Sequence, residues 1–168
     1  MAIVKTVLIG LTAAIMTVLV HGQTDSLISA NCMGCLCEAS TSCNATSPCH
    51  TPPGGGYFCG PFLISFPYWT DAGKPVLKGD DPNVKGAFEN CVLDLYCAAK
   101  TVRQYMKKFA SGGAGVSADC NGDGVVNCVD FAYMHMLGGF GCHDSSMLGT
   151  AFFKRFDNCW KVVEAASV

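Results

Sequence analysis

The chain has 168 residues, half of them hydrophobic, and twelve of them are cysteines. Eleven Lys and Arg residues stand against thirteen Asp and Glu residues, which gives a formal net charge of −2. This mild acidity and the absence of a basic run in the sequence argue against nucleic acid and anionic membranes as partners. They also argue against a bactericidal action that depends only on adhesion to negatively charged cell walls.

The N-terminal segment has the pattern of a secretion signal. Lys5 is followed by the apolar run TVLIGLTAAIMTVLV and then by small residues around Gly22. We predict that residues 1–22 are a cleaved signal peptide and that residues 23–168 form a single domain with one core. A membrane anchor is the alternative, but the run is shorter than the roughly 20 residues of a bilayer span. We therefore expect a secreted, extracellular monomer that has no membrane contact after signal cleavage.

All twelve cysteines follow residue 31. An even number of cysteines in a chain routed to an oxidising compartment predicts six disulfides. A zinc site at Cys32, Cys35 and Cys37 would require a second pair of ligands and a reducing compartment. The predicted disulfide cysteines are Cys32, Cys35, Cys37, Cys43, Cys49, Cys59, Cys91, Cys97, Cys120, Cys128, Cys142 and Cys159.

A glycosylation motif lies just after Cys43. Asn44-Ala45-Thr46 has the Asn-x-Thr pattern of an N-glycosylation acceptor. Such triplets also occur by chance, so the motif predicts a candidate site at Asn44 in a surface loop of a secreted protein.

The first third of the domain is rich in turn residues and short apolar segments. Residues 47–60 contain many Pro and Gly, and we expect a loop that is held at both ends by Cys49 and Cys59. The next segment, PFLISFPYW (61–69), favours one or two brief strands that end at Pro67. Residues 71–83 are a second turn-rich connector.

The second half of the chain has helical periodicity. Ala98, Val102, Tyr105 and Phe109 fall at i, i+4, i+7 and i+11 and form one stripe of a helix, with Asp94 placed to cap its N-terminus. Lys107 and Lys108 lie in the last turn, before the segment SGGAG ends the helix. Further helices are predicted at 129–137, ended by two glycines, and at about 146–157. The sequence thus predicts a small, mainly helical domain with a minor β element.

The segment DCNGDGVVNCVD matches a calcium-binding loop. Gly124 would provide the sharp turn and Asp130 the closing ligand. The other ligands would be Asp119, Asn121, Asp123 and Asn127. The alternative is an Asn/Gly/Asp turn in which Asp130 caps the following helix. If calcium is bound, we expect a structural ion rather than a catalytic one, and we expect no required cofactor.

Five segments occur in the order seen in invertebrate-type (i-type) lysozymes, the group that contains destabilase. They are CLCEASTSCN, CGPFLISFPYWTDAGKP, CVLDLYCAAKTVRQYMKKFA, DCNGDGVVNCVDFAYMHMLGGFGC and FDNCW. The chain resembles this family from about residue 32 to 160, with several segments similar to the insect branch. The resemblance implies a lysozyme-like α+β fold. It also implies cleavage of the bond between N-acetylmuramic acid and N-acetylglucosamine in bacterial peptidoglycan, in antibacterial defence or digestion.

The resemblance implies two catalytic carboxyl groups, one a protonated acid and the other ionised. Active members carry the acid three residues after the cysteine matching Cys37, a position that is Ser40 here. Their second carboxylate follows the cysteine matching Cys49 by three residues, and this chain has Pro52 there. Glu38 is the nearest candidate for a displaced catalytic acid.

The spacing around Glu38 leaves two hypotheses open. The interval from Cys37 to Cys43 is one residue shorter than in active members, and a two-residue shift rotates a helical side chain by roughly 200°. The first hypothesis is a peptidoglycan-cleaving glycoside hydrolase. The second is an inactive member that binds peptidoglycan or a protein partner. A disulfide-rich structural or inhibitory protein with no link to glycans is a third and weaker alternative.

The resemblance also indicates residues that would contact substrate. His135 precedes MLGGFGC and matches a histidine that could line the cleft, and Tyr68 and Trp69 are the aromatic pair placed to stack on sugar rings. A role in the core is the alternative for each of the three. Destabilase-like members are also credited with a serine-dependent isopeptidase activity, for which Ser65 and Lys74 are the candidates.

Three local disulfides are predicted once the family is considered: Cys37–Cys43, Cys49–Cys59 and Cys91–Cys97. The pairing of the other six cysteines stays open, because sequence alone does not fix connectivity. Ala72 and Thr101 occupy the positions of two further family cysteines, so one bridge of the family is expected to be missing as a pair.

Overall fold

A computed structural model describes residues 27–112 and 114–166, and the predicted signal peptide, 1–22, lies outside the described residues. The chain order of elements is α1 (Ala30–Thr41), β1 (Phe58–Cys59), β2 (Ile64–Ser65), α2 (Phe66–Asp71), α3 (Ala87–Leu93), α4 (Leu95–Ala110), α5 (Cys128–Leu137), a 3₁₀ helix (Ser145–Gly149) and α6 (Ala151–Ala165). The predicted domain, mainly helical with a minor β element, is confirmed. In the described part of the chain, no helix is long and apolar enough to cross a membrane.

The β element is an antiparallel pair in which Phe58 faces Ser65 and Cys59 faces Ile64. Within 61–69 the predicted strand is confirmed, but its predicted end at Pro67 is wrong. The strand ends at Ser65, whose hydroxyl accepts a hydrogen bond from the N–H of Tyr68 and caps α2. Pro67 lies in the first turn of that helix, where its missing N–H costs nothing.

We had expected a loop over the whole segment 47–60. This prediction is wrong at the end of the segment, where β1 forms. His50 also pairs with Phe58 through two backbone hydrogen bonds. The disulfide Cys49–Cys59 joins the two sides of this segment. The glycine-rich tip is therefore the part of the segment that lies outside the β pairing.

Helix α4 agrees with its predicted stripe and cap. Asp94 accepts a hydrogen bond from the N–H of Cys97, and Ala98, Val102 and Phe109 are fully buried. Lys107 and Lys108 lie in the last turn, where their charge suits the helix dipole. The short helix α3, which precedes Asp94, has no counterpart in the sequence prediction.

The two C-terminal helices differ in how closely they follow the prediction. Helix α5 begins one residue before the predicted start, and the N–H of Gly138 bonds the carbonyl of Met134 at its end. The predicted helix 146–157 is wrong as a single element. Thr150 divides it, because the hydroxyl of Thr150 accepts from the N–H of Phe153 and starts α6 afresh.

Disulfides join the first helix to the rest of the domain. The three predicted local bridges are confirmed, and the others are Cys32–Cys128, Cys35–Cys159 and Cys120–Cys142. No cysteine is free in the described residues, so the zinc alternative is wrong. Helix α1 packs along α6, and Arg155 donates two hydrogen bonds to the carbonyl of Ala39. These bonds hold the last turn of α1 against α6.

Candidate active site

An open groove of about 340 Å³ lies between α2 and the C-terminal end of α5. Tyr68 and Asp71 contribute one wall, Tyr105 lies between the walls, and residues 135–141 contribute the other. Tyr105 accepts a hydrogen bond at 2.8 Å from the N–H of Gly139. Tyr68 stacks on Tyr105 with 3.6 Å between ring centroids. The groove is thus built from aromatic rings and a glycine-containing turn that helix α4 holds in place.

His135 connects the groove to the first helix. Its Nε2 lies 2.9 Å from the carbonyl oxygen of Phe62 and its Nδ1 lies 3.2 Å from the hydroxyl of Tyr68. Since a carbonyl only accepts, Nε2 carries the proton, and Nδ1 accepts from the Tyr68 hydroxyl. Burial lowers the pKa of His135 to about 4, an effect that the Phe62 bond opposes in part. The ring is therefore neutral near neutral pH and is fixed in one tautomer.

Ser40 occupies the last turn of α1 and lies against this histidine. Its hydroxyl donates to the carbonyl of Leu36 at 2.8 Å, and its oxygen lies 3.4 Å from Nε2 of His135. The side chain is buried, with 8% of its surface exposed. Because the serine proton goes to Leu36 and Nε2 is itself a donor, His135 does not act as a base toward Ser40. The position that the family resemblance assigns to an acid holds a satisfied hydroxyl group.

Glu38 lies two residues earlier on the same helix and is exposed, between the buried residues Cys37 and Ala39. The structure does not bring Glu38 together with Ser40 and His135. The difference of roughly 200° around the helix accounts for this separation. Glu38 therefore presents its carboxylate to a different face of the helix from Ser40.

The structure places the carboxylate of Asp71 in the groove. Asp71 pairs with the ammonium of Lys108 at 2.8 Å and helps raise the pKa of Tyr105, after the larger effect of burial. Pro52, at the position of the second family carboxylate, is partly buried in the loop that precedes β1. Nothing in the sequence pattern had linked Asp71 and Lys108, which are far apart in the chain. Their pairing arises from the packing of α2 on α4.

The two predicted sugar-stacking residues have different environments. Trp69 is 1% exposed, and its indole N–H donates to the carbonyl of Pro75 at 2.7 Å. This placement favours the core role that was the alternative for Trp69. Tyr68 borders the groove, but only 8% of its surface is exposed, and burial followed by the neighbouring Tyr105 raises its pKa. Phe140, which no sequence pattern had indicated, borders the groove and is 67% exposed.

Ser65 and Lys74, the candidates for an isopeptidase pair, line different cavities. The Ser65 hydroxyl caps α2, and Lys74 borders a second cavity beside Phe66 and Phe88. The structure does not place the two side chains in one site.

The loop before α5 is closed by its own hydrogen bonds. Asp119 accepts from the N–H groups of Gly122, Asp123 and Gly124, and buried Asp130 accepts from those of Cys120, Asn121 and Asn127. Asp130 and Asn127 form a capping box, so the capping role that was the alternative for Asp130 is confirmed. Throughout 27–112 and 114–166, no cluster of three or more His, Cys, Asp or Glu side chains has the arrangement of a metal site.

Comparisons with known proteins address the fold and the family together. The Destabilase family profile matches residues 29–159. "Invertebrate-type lysozyme 2" of Caenorhabditis elegans is 33% identical over 132 residues, which cover 78% of this chain and 86% of that protein. "Invertebrate-type lysozyme" of Ruditapes philippinarum is 34% identical over 122 residues, covering 73% and 76%.

Solved structures agree with this result. The Tapes japonica lysozyme matches with a TM-score of 0.59 and 30% identity, covering 83% of this chain and 94% of that one. The Meretrix lusoria lysozyme, in complex with Aeromonas hydrophila PliI, matches with a TM-score of 0.61 and 27% identity, covering 81% and 93%. The lysozyme-like fold is confirmed, and the six disulfides fit an extracellular protein. The chain belongs to the destabilase family of invertebrate-type lysozymes, and this membership supports a muramidase-type glycoside hydrolase.

Proposed function

We propose that this protein is secreted and acts on bacterial peptidoglycan in antibacterial defence or digestion. The observation that supports this proposal best is the family match, which spans nearly the whole domain and includes the groove residues. The reaction proposed is hydrolysis of the glycosidic bond between N-acetylmuramic acid and N-acetylglucosamine. No nucleic acid, membrane or required cofactor forms part of the proposal.

In this proposal the groove binds the glycan through Tyr68, His135 and their neighbours. A neutral His135 with a fixed Nε2–H keeps Tyr68 oriented, because the Tyr68 hydroxyl donates to Nδ1. Exposed Phe140 provides an apolar surface at the rim for the flat face of a sugar ring. Glu38 is the acid candidate on the first helix, and cleavage by this residue requires the glycan to reach its exposed face.

A second candidate function is favoured by the environment of Ser40. A serine hydroxyl that donates to Leu36 does not protonate a leaving oxygen as a carboxylic acid does. A groove that binds glycan but lacks the acid would retain the ligand without turning it over. The second candidate is therefore a peptidoglycan-binding protein that has the lysozyme fold and no hydrolytic activity.

Release of reducing ends from purified peptidoglycan separates the two candidates. The disulfide-intact protein is compared with Glu38→Gln, an exposed change that preserves size. Cleavage by the wild type that the variant loses supports hydrolysis with Glu38 as the acid. Binding without cleavage by both proteins supports the second candidate. If neither protein cleaves or binds peptidoglycan, both candidates are wrong.

Sedimentation with insoluble peptidoglycan tests whether the groove is the binding surface. Phe140→Ala removes an exposed ring at the groove and should weaken binding by about 1–2 kcal/mol, or roughly tenfold in affinity. Tyr96→Ala is the matched control, because Tyr96 is 84% exposed and does not line the groove. Equal binding by the two variants would place the glycan elsewhere on the protein.

A further inference from the structure

The turn that follows α1 presents the Asn-x-Thr motif on the surface. Asn44, Ala45 and Thr46 are all exposed. The N–H of Asn44 donates to the carbonyl of Thr41 at 3.2 Å, and the N–H of Ser47 donates to the carbonyl of Asn44 at 3.0 Å. The neighbouring bridge Cys37–Cys43 fixes the start of the turn. The backbone of the motif is therefore paired locally while its side chains face solvent.

The side chains of the motif are arranged so that one atom of Asn44 is available. The backbone N–H of Thr46 and its hydroxyl both donate to Oδ1 of Asn44, at 3.0 and 2.8 Å. Nδ2 of Asn44 donates to none of the described residues. Nδ2 is the atom to which an N-linked sugar is attached. A glycan at this atom replaces no hydrogen bond within the described residues and needs no opening of the turn.

We propose that Asn44 carries an N-linked glycan in the secreted protein. The inference rests on the secretion contained in the proposed function, because the modification requires entry into the secretory pathway. Nδ2 attacks the anomeric carbon of an oligosaccharide linked to a lipid pyrophosphate. The new bond joins nitrogen to that carbon, the bond from the carbon to the pyrophosphate oxygen breaks, and one amide proton is lost. The lipid pyrophosphate leaves, and no oxidation or reduction takes place.

The sequence contains a single motif for N-glycosylation. No other asparagine in the chain is followed two positions later by Ser or Thr, so a single glycan is expected. Ala45 occupies the middle position, where only proline would prevent modification. The site lies four positions after Ser40, at the end of α1, where the hydroxyl of Thr41 also donates to the carbonyl of Pro61. The glycan therefore covers the turn that connects α1 to the β element.

The test uses the full chain expressed in a eukaryotic secretory cell line and recovered from the medium. Digestion with peptide N-glycosidase should release one glycan, increase gel mobility and convert Asn44 to Asp, which peptide mass spectrometry detects. Asn44→Gln and Thr46→Ala should lose the mobility shift completely. Thr46→Ser is the matched control, because it preserves the hydroxyl that donates to Oδ1 and should retain the shift.

Two results would overturn the proposal, and they are distinguishable. Secreted wild-type protein with unmodified Asn44 would show that secretion occurs and the glycan is absent. Intracellular protein that still carries residues 1–22 and unmodified Asn44 would contradict both secretion and glycosylation. A shift that persists in Asn44→Gln would place the modification at another residue and would also overturn the assignment.

Discussion

The two halves of helix α1 differ in which features of the lysozyme family they retain. Its first half is joined to α5 and α6 through Cys32–Cys128 and Cys35–Cys159, and this helical frame superimposes on solved lysozymes. Its last turn contacts the groove residue His135 through Ser40, which lies at the position of the family acid. The two regions are one or two helical turns apart. Within this single helix, the residues that specify the fold are therefore separable from those that specify its chemistry.

The largest expected effect concerns the helical frame. Replacing Cys35 and Cys159 by Ala opens a bridge with a sequence separation of 124 and should reduce the free energy of unfolding by about 5 kcal/mol. A loss of this size approaches the whole stability of many domains. Denaturant unfolding of the double variant measures it. The control is Cys37→Ala with Cys43→Ala, whose separation of 6 predicts a loss of about 2 kcal/mol. Equal losses would contradict the importance of the long-range bridge.

The second prediction addresses the two positions at which the family carries its catalytic carboxylates. If the protein binds peptidoglycan without cleaving it, Ser40→Glu combined with Pro52→Asp should introduce hydrolysis. A general acid contributes on the order of 10²–10⁴ in rate, so reducing-end release should rise by at least about 10²-fold. Adding Glu38→Gln to this double variant should leave the gain intact. No gain in a variant with a native circular dichroism spectrum would mean that the shortened Cys37–Cys43 interval misplaces the new acid.

The third prediction uses the pH dependence of stability to examine His135, which contacts Ser40 in the last turn of α1. Its pKa is about 4 in the folded protein and 6.5 ordinarily, so the unfolded chain binds the proton more tightly. Stability should therefore fall as pH decreases from 6.5 to 4, by up to about 3 kcal/mol. The partial exposure of the ring reduces this value. The free energy of unfolding of His135→Gln should depend less on pH in this window than that of the wild type. Parallel pH profiles of the two proteins would disprove the effect.

Features that depend on local spacing were predicted better than features that depend on contacts between distant parts of the chain. The stripe on α4 and the cap at Asp94 depend on local spacing, and both are confirmed. Pro67 was interpreted as the end of a strand, whereas the cap at Ser65 places it in the first turn of a helix. Neighbouring Tyr68 and Trp69 differ because one borders the groove and the other donates to Pro75. The pairing of Asp71 with Lys108 depends on helix packing that no local pattern encodes.

The smallest expected effect concerns calcium in the loop before α5. The carboxylates of Asp119 and Asp130 already accept backbone N–H bonds, so millimolar calcium should change the melting temperature by less than about 1 °C relative to chelator. A site occupied at 100 times its Kd would add about 2.7 kcal/mol, a shift of several degrees. Magnesium at equal ionic strength is the control for screening. A rise specific to calcium that Asp123→Asn abolishes would establish the calcium site that the sequence motif predicts, because Asp123 is exposed and its change leaves the capping box intact.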